Sequence, residues 1–216
     1  RIAFFDKNET KSIVLKRLYG LTDSELTNPL TVDNLSPVWS KFYKSSKFSN
    51  IRFTDKCEIY SEDLWFNIKC FVLADSSEFF NGTYYYYFKG NNSSIVHTFD
   101  KDMLKEYKRL YKYMMEYIDK YQLGSSFRKN LRNRIVLNEL SILRNAVSPI
   151  VSRRLNCKRI NNIINDPIYG RVYSDFNYKK LPMMYKLFYK SCEYKLPSIL
   201  YLALITGEKL KTKIKQ

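Results

Sequence analysis

Residues 99–159 read FDKDMLKEYKRLYKYMMEYIDKYQLGSSFRKNLRNRIVLNELSILRNAVSPIVSRRLNCKR, and they contain the clearest helical pattern of the chain. Its first part predicts a helix that begins near Thr98 or Asp100 and runs to about residue 123. Gly124 is expected to supply the left-handed residue that follows the helix. One apolar face recurs at steps of three and four residues, as an amphipathic helix requires: Leu104, Tyr107, Tyr111, Met114, Ile118 and Tyr121.

A second helix is predicted from about Phe127 to about Val147. It should stop before Pro149, because proline cannot continue a helix. Its clearest apolar stripe consists of Val136, Leu140, Leu143 and Val147. The connection between the two helices is short, so we expect them to pack antiparallel as a helical hairpin.

The charge of the central stretch is the strongest indication of function. Between residues 128 and 159 there are nine cations and one anion, Glu139, and this excess is half of the net charge of +16. Cations this dense repel one another unless a polyanion neutralises them. The alternative interpretation is that these cations form only a solvated face of a Lys-rich chain. That would account for the lysines better than for the arginines, which are the majority here. We therefore predict nucleic-acid contact by Arg128, Lys129, Arg132, Arg134, Arg153, Arg154, Lys158 and Arg159.

The N-terminal half carries a second pattern. A short helix is predicted over Lys11–Tyr19 and ended by Gly20. Five later segments are rich in β-branched and aromatic residues and lie between turn residues: Ile51–Phe53, Glu58–Tyr60, Trp65–Leu73, Thr83–Phe88 and Ile95–Phe99. They predict a small antiparallel sheet.

Together these patterns predict an α+β fold that is predominantly α. Its two regions would be a mixed region with the small sheet, 1–98, and a basic helical region with a cationic C-terminal tail, 99–216. A chain of 216 residues with 45% hydrophobic residues can bury a real core and is not a disordered tail. Within the second region, Ser198–Thr206 is expected to be a buried helix that Gly207 stops.

The residues that most enzymes need are scarce. His97 is the single histidine, and six glycines form no phosphate-binding loop. The four cysteines show no Cys-x-x-Cys spacing, so neither zinc nor another cofactor is expected. Glu58, Glu62 and Asp63 could in principle build a metal-dependent nuclease, but their spacing matches no known site. We predict no catalytic residue and no metal site.

These observations favour a non-enzymatic RNA-binding structural protein of a ribonucleoprotein assembly, such as a ribosomal protein. The Tyr, Asn, Lys and Ile content is typical of an AT-rich genome and suggests the matrix of an organelle, the mitochondrion, rather than secretion. The expected partners are RNA and neighbouring proteins, with DNA possible and no membrane span.

Two alternatives remain open. The first is a viral nucleic-acid-binding protein of replication, transcription or packaging, within an intracellular viral assembly. The second is a protein–protein interaction subunit without nucleic-acid contact. In that case the interface would be the face of the first helix, formed by Tyr107, Tyr111, Met114, Ile118 and Tyr121.

Overall fold

The structure is a computed structural model that describes residues 10–39, 41–55, 58–78 and 99–214, with side chains as far as residue 207. The described chain forms eight α-helices: α1 (Lys11–Tyr19), α2 (Ser45–Phe48), α3 (Glu62–Leu73), α4 (Met103–Lys120), α5 (Ser125–Ala146), α6 (Arg153–Ile164), α7 (Met183–Glu193) and α8 (Pro197–Ile214). Short 3₁₀ turns lie at Glu25–Thr27, Pro29–Asp33, Pro167–Tyr169 and Tyr178–Lys180.

The predicted antiparallel sheet is wrong, because the described residues contain no strand. The segment predicted as a strand over Trp65–Leu73 belongs to helix α3. Glu62 and Asp63 in its first turn complement the positive end of the helix dipole. Ile68 and Phe71 are buried as one helical face. Thr83–Phe88 and nearly all of Ile95–Phe99 lie outside the described residues.

The two central helices are confirmed as α4 and α5, with a different connection from the one predicted. Helix α4 begins at Met103, a few residues later than expected. Gln122, with φ of 50°, occupies the left-handed position after the helix. The amide of Leu123 donates to the carbonyl of Ile118 at 3.0 Å, which completes a Schellman motif. Gly124 also has a positive φ, 92°, and lies two residues further on.

The chain divides into two compact units, and each combines several segments. Unit 1 contains residues 1–22, 30–97 and 105–134, and unit 2 contains residues 23–29, 98–104 and 135–216. Both units therefore include residues from each of the two regions that the sequence predicts. Helix α5 belongs to both units, because unit 1 ends and unit 2 resumes inside it at residues 134 and 135.

In unit 1, helix α1 packs on α3, and its C-terminal end lies against α5. Thr10 caps α1 by accepting a hydrogen bond from the amide of Ile13, and the predicted bounds of this helix are confirmed. Asn130 Nδ2 donates to the carbonyl of Lys16 at 3.2 Å. Asn133 Nδ2 donates to the carbonyl of Leu21 at 2.8 Å. The side-chain amides of two asparagines on α5 thus provide hydrogen-bond donors for backbone carbonyls at the end of α1 and just beyond it.

In unit 2, helix α8 packs on both α6 and α7. It was expected to stop at Gly207, but it continues to Ile214. Leu200 and Leu204 are buried, whereas Ile199 and Leu202 are more than half exposed. The helix is therefore amphipathic rather than buried on all sides.

A polar group is buried in the same unit. The carboxyl group of Glu139 accepts a hydrogen bond from the hydroxyl of Tyr173, and both side chains are buried. The thiol of Cys192 lies beside them and also hydrogen-bonds with Glu139. Burial raises the pKa of Glu139 to about 8, against the opposing effect of these two hydrogen bonds. Glu139 is therefore mostly protonated in the folded protein at neutral pH.

Within the described ranges, no helix has both the length and the apolar content that crossing a bilayer requires. Among the described cysteines, Cys70, Cys157 and Cys192 are free thiols.

Candidate nucleic-acid interface

The predicted cationic cluster is divided between the two units. Arg128, Lys129, Arg132 and Arg134 lie on α5 within unit 1, and the remaining four cations lie on α6 within unit 2. The two groups also differ in what surrounds them, and they are described separately below.

Arg134 is not available to a ligand, because its side chain is only 1% exposed. Its Nη1 donates to Oδ1 of Asp33 at 2.5 Å, and its Nη2 donates to the carbonyl of Val32 at 2.6 Å. The guanidinium therefore joins α5 to Val32 and Asp33 inside unit 1. We remove Arg134 from the candidate interface and assign it a structural role.

The other three predicted contact residues on α5 also interact with the protein itself. Arg128 donates to the carboxylate of Asp119 and, at 3.0 Å, to the sulfur of Met115, both on α4. These contacts place the start of α5 beside the end of α4, as the predicted hairpin requires. Lys129 and Arg132 are half-buried, and both interact with other groups of the chain.

Three of the four cations of α6 are presented to solvent. Ser152 caps the helix by accepting a hydrogen bond from the amide of Leu155, and Arg153, Arg154 and Lys158 are exposed. Within the ranges that the structure describes, no carboxylate forms an ion pair with any of these three side chains. Their charge is therefore available to an external anion.

Arg159 has a partly internal role. Its Nη1 donates to the carbonyl of Ala146 at 3.2 Å, which satisfies a carbonyl at the end of α5. Its guanidinium lies 4.8 Å from the centre of the Phe99 ring, within cation–π range. Arg159 is half-buried as a result, and it lies beside the interface rather than at its centre.

The orientation of α6 is fixed from its inner side. Ile160, Ile163 and Ile164 are buried, and α6 packs on α8. Asn156 is fully buried and donates through Nδ2 to the carbonyls of Ser148 at 2.8 Å and Val151 at 3.1 Å. Because this side is anchored by both apolar and polar contacts, the opposite side of α6 must face outward.

Two asparagines extend the exposed side. Asn161 and Asn162 are exposed and follow Lys158 by three and four residues, which places them on the same side of the helix. We call Arg154, Lys158, Asn161 and Asn162, together with Arg153 at their N-terminal edge, the α6 cationic face. The guanidinium of Arg153 is exposed but turns towards α8, 6.0 Å from the centre of the Tyr201 ring. A helix of 12 residues is about 18 Å long, so this face can contact several consecutive nucleotides.

The electrostatics of this face favour an anion. Helix α6 contains no acidic residue, and Arg153 and Arg154 lie in its first turn, at the positive end of the helix dipole. Cations at this end are destabilising by about 0.3–1 kcal/mol each at exposed positions. With a phosphate bound at this end of the helix, the net electrostatic contribution would become favourable.

The sequence did not identify Asn161 and Asn162 as part of the interface. The signal that could have found them is the segment RRLNCKRINN, in which cations and amides occur together without an acid. The sequence also could not show that Arg134 is buried, because its position in α5 is compatible with either environment.

The other predicted sites lie inside unit 1. Four residues of the proposed protein interface on α4 are buried, and the fifth, Tyr121, is half-buried: Tyr107, Tyr111, Met114 and Ile118. The stripe is therefore core in this structure rather than an exposed surface.

Two of the three acidic residues considered for a nuclease, Glu58 and Asp63, have structural partners. Glu58 accepts from the hydroxyl of Tyr113, and Asp63 accepts from the amide of Val38 at 3.4 Å. Burial raises the pKa of Asp63. Among the described residues there is no group of three or more His, Cys, Asp or Glu side chains that could hold a metal ion.

Comparison of the chain with protein-family models, with curated proteins and with solved structures finds no match. The α6 cationic face is therefore the feature of the chain from which a function can be inferred.

Proposed function

We propose that this chain is a non-enzymatic RNA-binding protein that acts as a structural component of a ribonucleoprotein assembly of the ribosomal kind. We further propose that the α6 cationic face is its RNA contact. The observation that carries the proposal is the exposure of Arg153, Arg154 and Lys158 on one anchored helix that contains no acid.

The chemistry of the face suits RNA. Arginine binds phosphate through two parallel hydrogen bonds and stacks on unpaired bases, while lysine supplies a mobile positive charge. The amides of Asn161 and Asn162 can donate and accept, as contacts with base edges and 2′-hydroxyls require. The net charge of +16 supports long-range attraction to the same partner. The amino-acid content, which is typical of an AT-rich genome, supports a location in an organelle, the mitochondrion.

The test is an affinity measurement on the full chain. The variant Arg153→Gln/Arg154→Gln/Lys158→Gln should bind a structured RNA hairpin of about 30 nucleotides with roughly tenfold to hundredfold lower affinity than the wild type at about 0.1 M salt. Fluorescence anisotropy measures the dissociation constants. Circular dichroism verifies that the helical content is unchanged.

The matched control removes the same charge elsewhere. Lys101, Lys105 and Lys112 are exposed, and the variant Lys101→Gln/Lys105→Gln/Lys112→Gln has the same net charge as the α6 variant. It should lose much less affinity. Equal losses in the two variants would show that overall charge, and not the α6 cationic face, determines binding. A clear preference of the wild type for duplex DNA would favour the viral alternative instead.

A further inference from the structure

Helix α7 has two apolar sides, and only one of them is covered. Tyr189 and Cys192 are buried, and the Tyr189 hydroxyl donates to the carbonyl of Leu137 at 3.0 Å. On the opposite side Met183, Met184 and Leu187 are 68%, 77% and 58% exposed. With Tyr194, which is 66% exposed just beyond the helix, these side chains form the α7 apolar face.

Three of these residues form one strip along the helix, and Tyr194 lies in line with it after a turn that contains Lys190 and Ser191. Leu187 follows Met183 and Met184 by four and three residues, and Tyr194 follows Leu187 by seven, or two turns. Exposed apolar side chains are common when they occur singly, but a helical strip of large ones indicates a binding surface. The strip does not contribute to the core of unit 2, so its apolar character requires another explanation.

Lysines surround the α7 apolar face. Lys179 and Lys180 are exposed in the 3₁₀ turn just before α7, and Lys195 is exposed just after it. Lys190 lies one turn before Tyr194, pairs with Glu193 at 2.6 Å and has its Nζ 5.4 Å from the centre of the Tyr194 ring. A surface that places Met, Leu and Tyr at its centre and Lys at its edges complements a partner that is both apolar and anionic.

We propose that the α7 apolar face is a docking site for an anionic membrane surface, on which α7 lies in the plane of the interface. A bilayer interface accepts apolar side chains, a tyrosine hydroxyl and lysine ammonium groups at one depth. RNA provides the anionic charge but no apolar phase for Met183, Met184 and Leu187. Helix α7, with 11 residues, is about 16 Å long, which suits a position within one interface.

The experiment uses the full chain and vesicles of phosphatidylcholine with about 30% phosphatidylserine, at about 0.15 M salt, in a co-sedimentation assay. The wild type should bind these vesicles and should bind phosphatidylcholine vesicles much less. The variant Met183→Ser/Met184→Ser/Leu187→Ser keeps every charge, and its partition coefficient should fall roughly tenfold or more because the apolar contribution is lost.

A matched variant tests whether any exposed apolar group has this effect. Ile150 is 95% exposed and Leu155 is 44% exposed, both near the start of α6 in the same unit. The variant Ile150→Ser/Leu155→Ser should bind vesicles as the wild type does. The proposal is overturned if the wild type does not bind anionic vesicles, if the α7 variant binds as well as the wild type, or if both serine variants weaken equally.

Vesicle binding is independent of the proposed RNA contact, and the two can fail separately. The α7 variant should retain the RNA affinity of the wild type, because it leaves the α6 cationic face intact. If the α7 variant lost RNA affinity while vesicle binding was unchanged, α7 would contact RNA and the membrane proposal would be rejected.

Discussion

Arg134 shows how one residue type performs two different tasks on neighbouring helices. It is buried with Asp33 and the carbonyl of Val32, whereas Arg154 on α6 is exposed. Removing a buried guanidinium creates a cavity and leaves the Val32 carbonyl without its donor, and Asp33 is hydrated because it is 43% exposed. Arg134→Met should therefore lower the free energy of unfolding by about 2–4 kcal/mol.

Urea denaturation, followed by circular dichroism, measures this loss. Arg154→Met is the matched control, and it should change the free energy of unfolding by no more than about 0.5 kcal/mol. We expect the reverse order for RNA affinity: Arg154→Met should lower it and Arg134→Met should not, because only Arg154 is exposed. Similar stability losses in the two variants would contradict the structural role assigned to Arg134.

Glu139 makes the stability of the protein depend on pH. Its pKa rises from 4.5 to about 8 on folding because it is buried beside Tyr173 and Cys192. Between these values the folded state holds a proton that the unfolded state has released. The contribution of this bound proton to the free energy of unfolding is fully present below pH 4.5 and is lost as the pH rises to 8.

Glu139→Gln removes this dependence, since glutamine is neutral at every pH and its carbonyl can still accept from Tyr173. We expect the variant to be more stable than the wild type at pH 8, with a smaller difference at pH 5. Each unit of pKa difference corresponds to about 1.4 kcal/mol. Thermal unfolding at both pH values measures the effect, and the exposed Glu116→Gln is the control. Parallel pH profiles for Glu139→Gln and the wild type would contradict the prediction.

At the scale of elements, Gly20 determines how closely α1 approaches α5. Its φ is 148°, and a Cβ at this position would lie 2.0 Å from the carbonyl oxygen of Asn130. Gly20→Ala should therefore separate the two helices and lower the free energy of unfolding by about 2–5 kcal/mol.

Gly207 provides the opposite case for the same substitution. It lies inside α8 with nothing within 4 Å of its Cβ position, so Gly207→Ala should stabilise the helix by about 0.5–1 kcal/mol. Chemical denaturation of the two variants compares them directly. A mild effect of Gly20→Ala would show that the contact between α1 and α5 is looser than the structure indicates.

The elements that the sequence predicted correctly are those with helical periodicity. Helices α1, α4 and α5 follow from the spacing of their apolar residues. The segment Trp65–Leu73 misled because its residues favour strands by propensity, while Leu64, Ile68 and Phe71 repeat at helical spacing. Packing of that face outweighed propensity, as it commonly does. Glycine at position 207 did not end α8, because a glycine inside a helix costs only about 1 kcal/mol.

For the whole molecule, the sequence showed where the excess positive charge lies along the chain, but not how it is divided between the two units. Arg128 and Arg154 belong to one cationic stretch of the sequence, yet they belong to different units. Which cations are internally paired depends on long-range partners such as Asp33 for Arg134. Spacing along the chain contains no information about these partners, so only the structure separates the α6 cationic face from the cations of α5.

The salt dependence of RNA binding tests this separation quantitatively. With a single-stranded RNA as the probe in place of the hairpin, each cation that neutralises a phosphate contributes about 0.7 to the slope of log affinity against log salt. If Arg153, Arg154 and Lys158 all contact phosphates, replacing them with glutamine should reduce the slope by about 2. The variant Lys101→Gln/Lys105→Gln/Lys112→Gln has the same net charge and should keep the slope of the wild type.

A reduced affinity with an unchanged slope in the α6 variant would mean that these side chains contact bases or sugars rather than phosphates. A slope reduced equally in both variants would mean that binding follows net charge, and the α6 cationic face would then lose its special role.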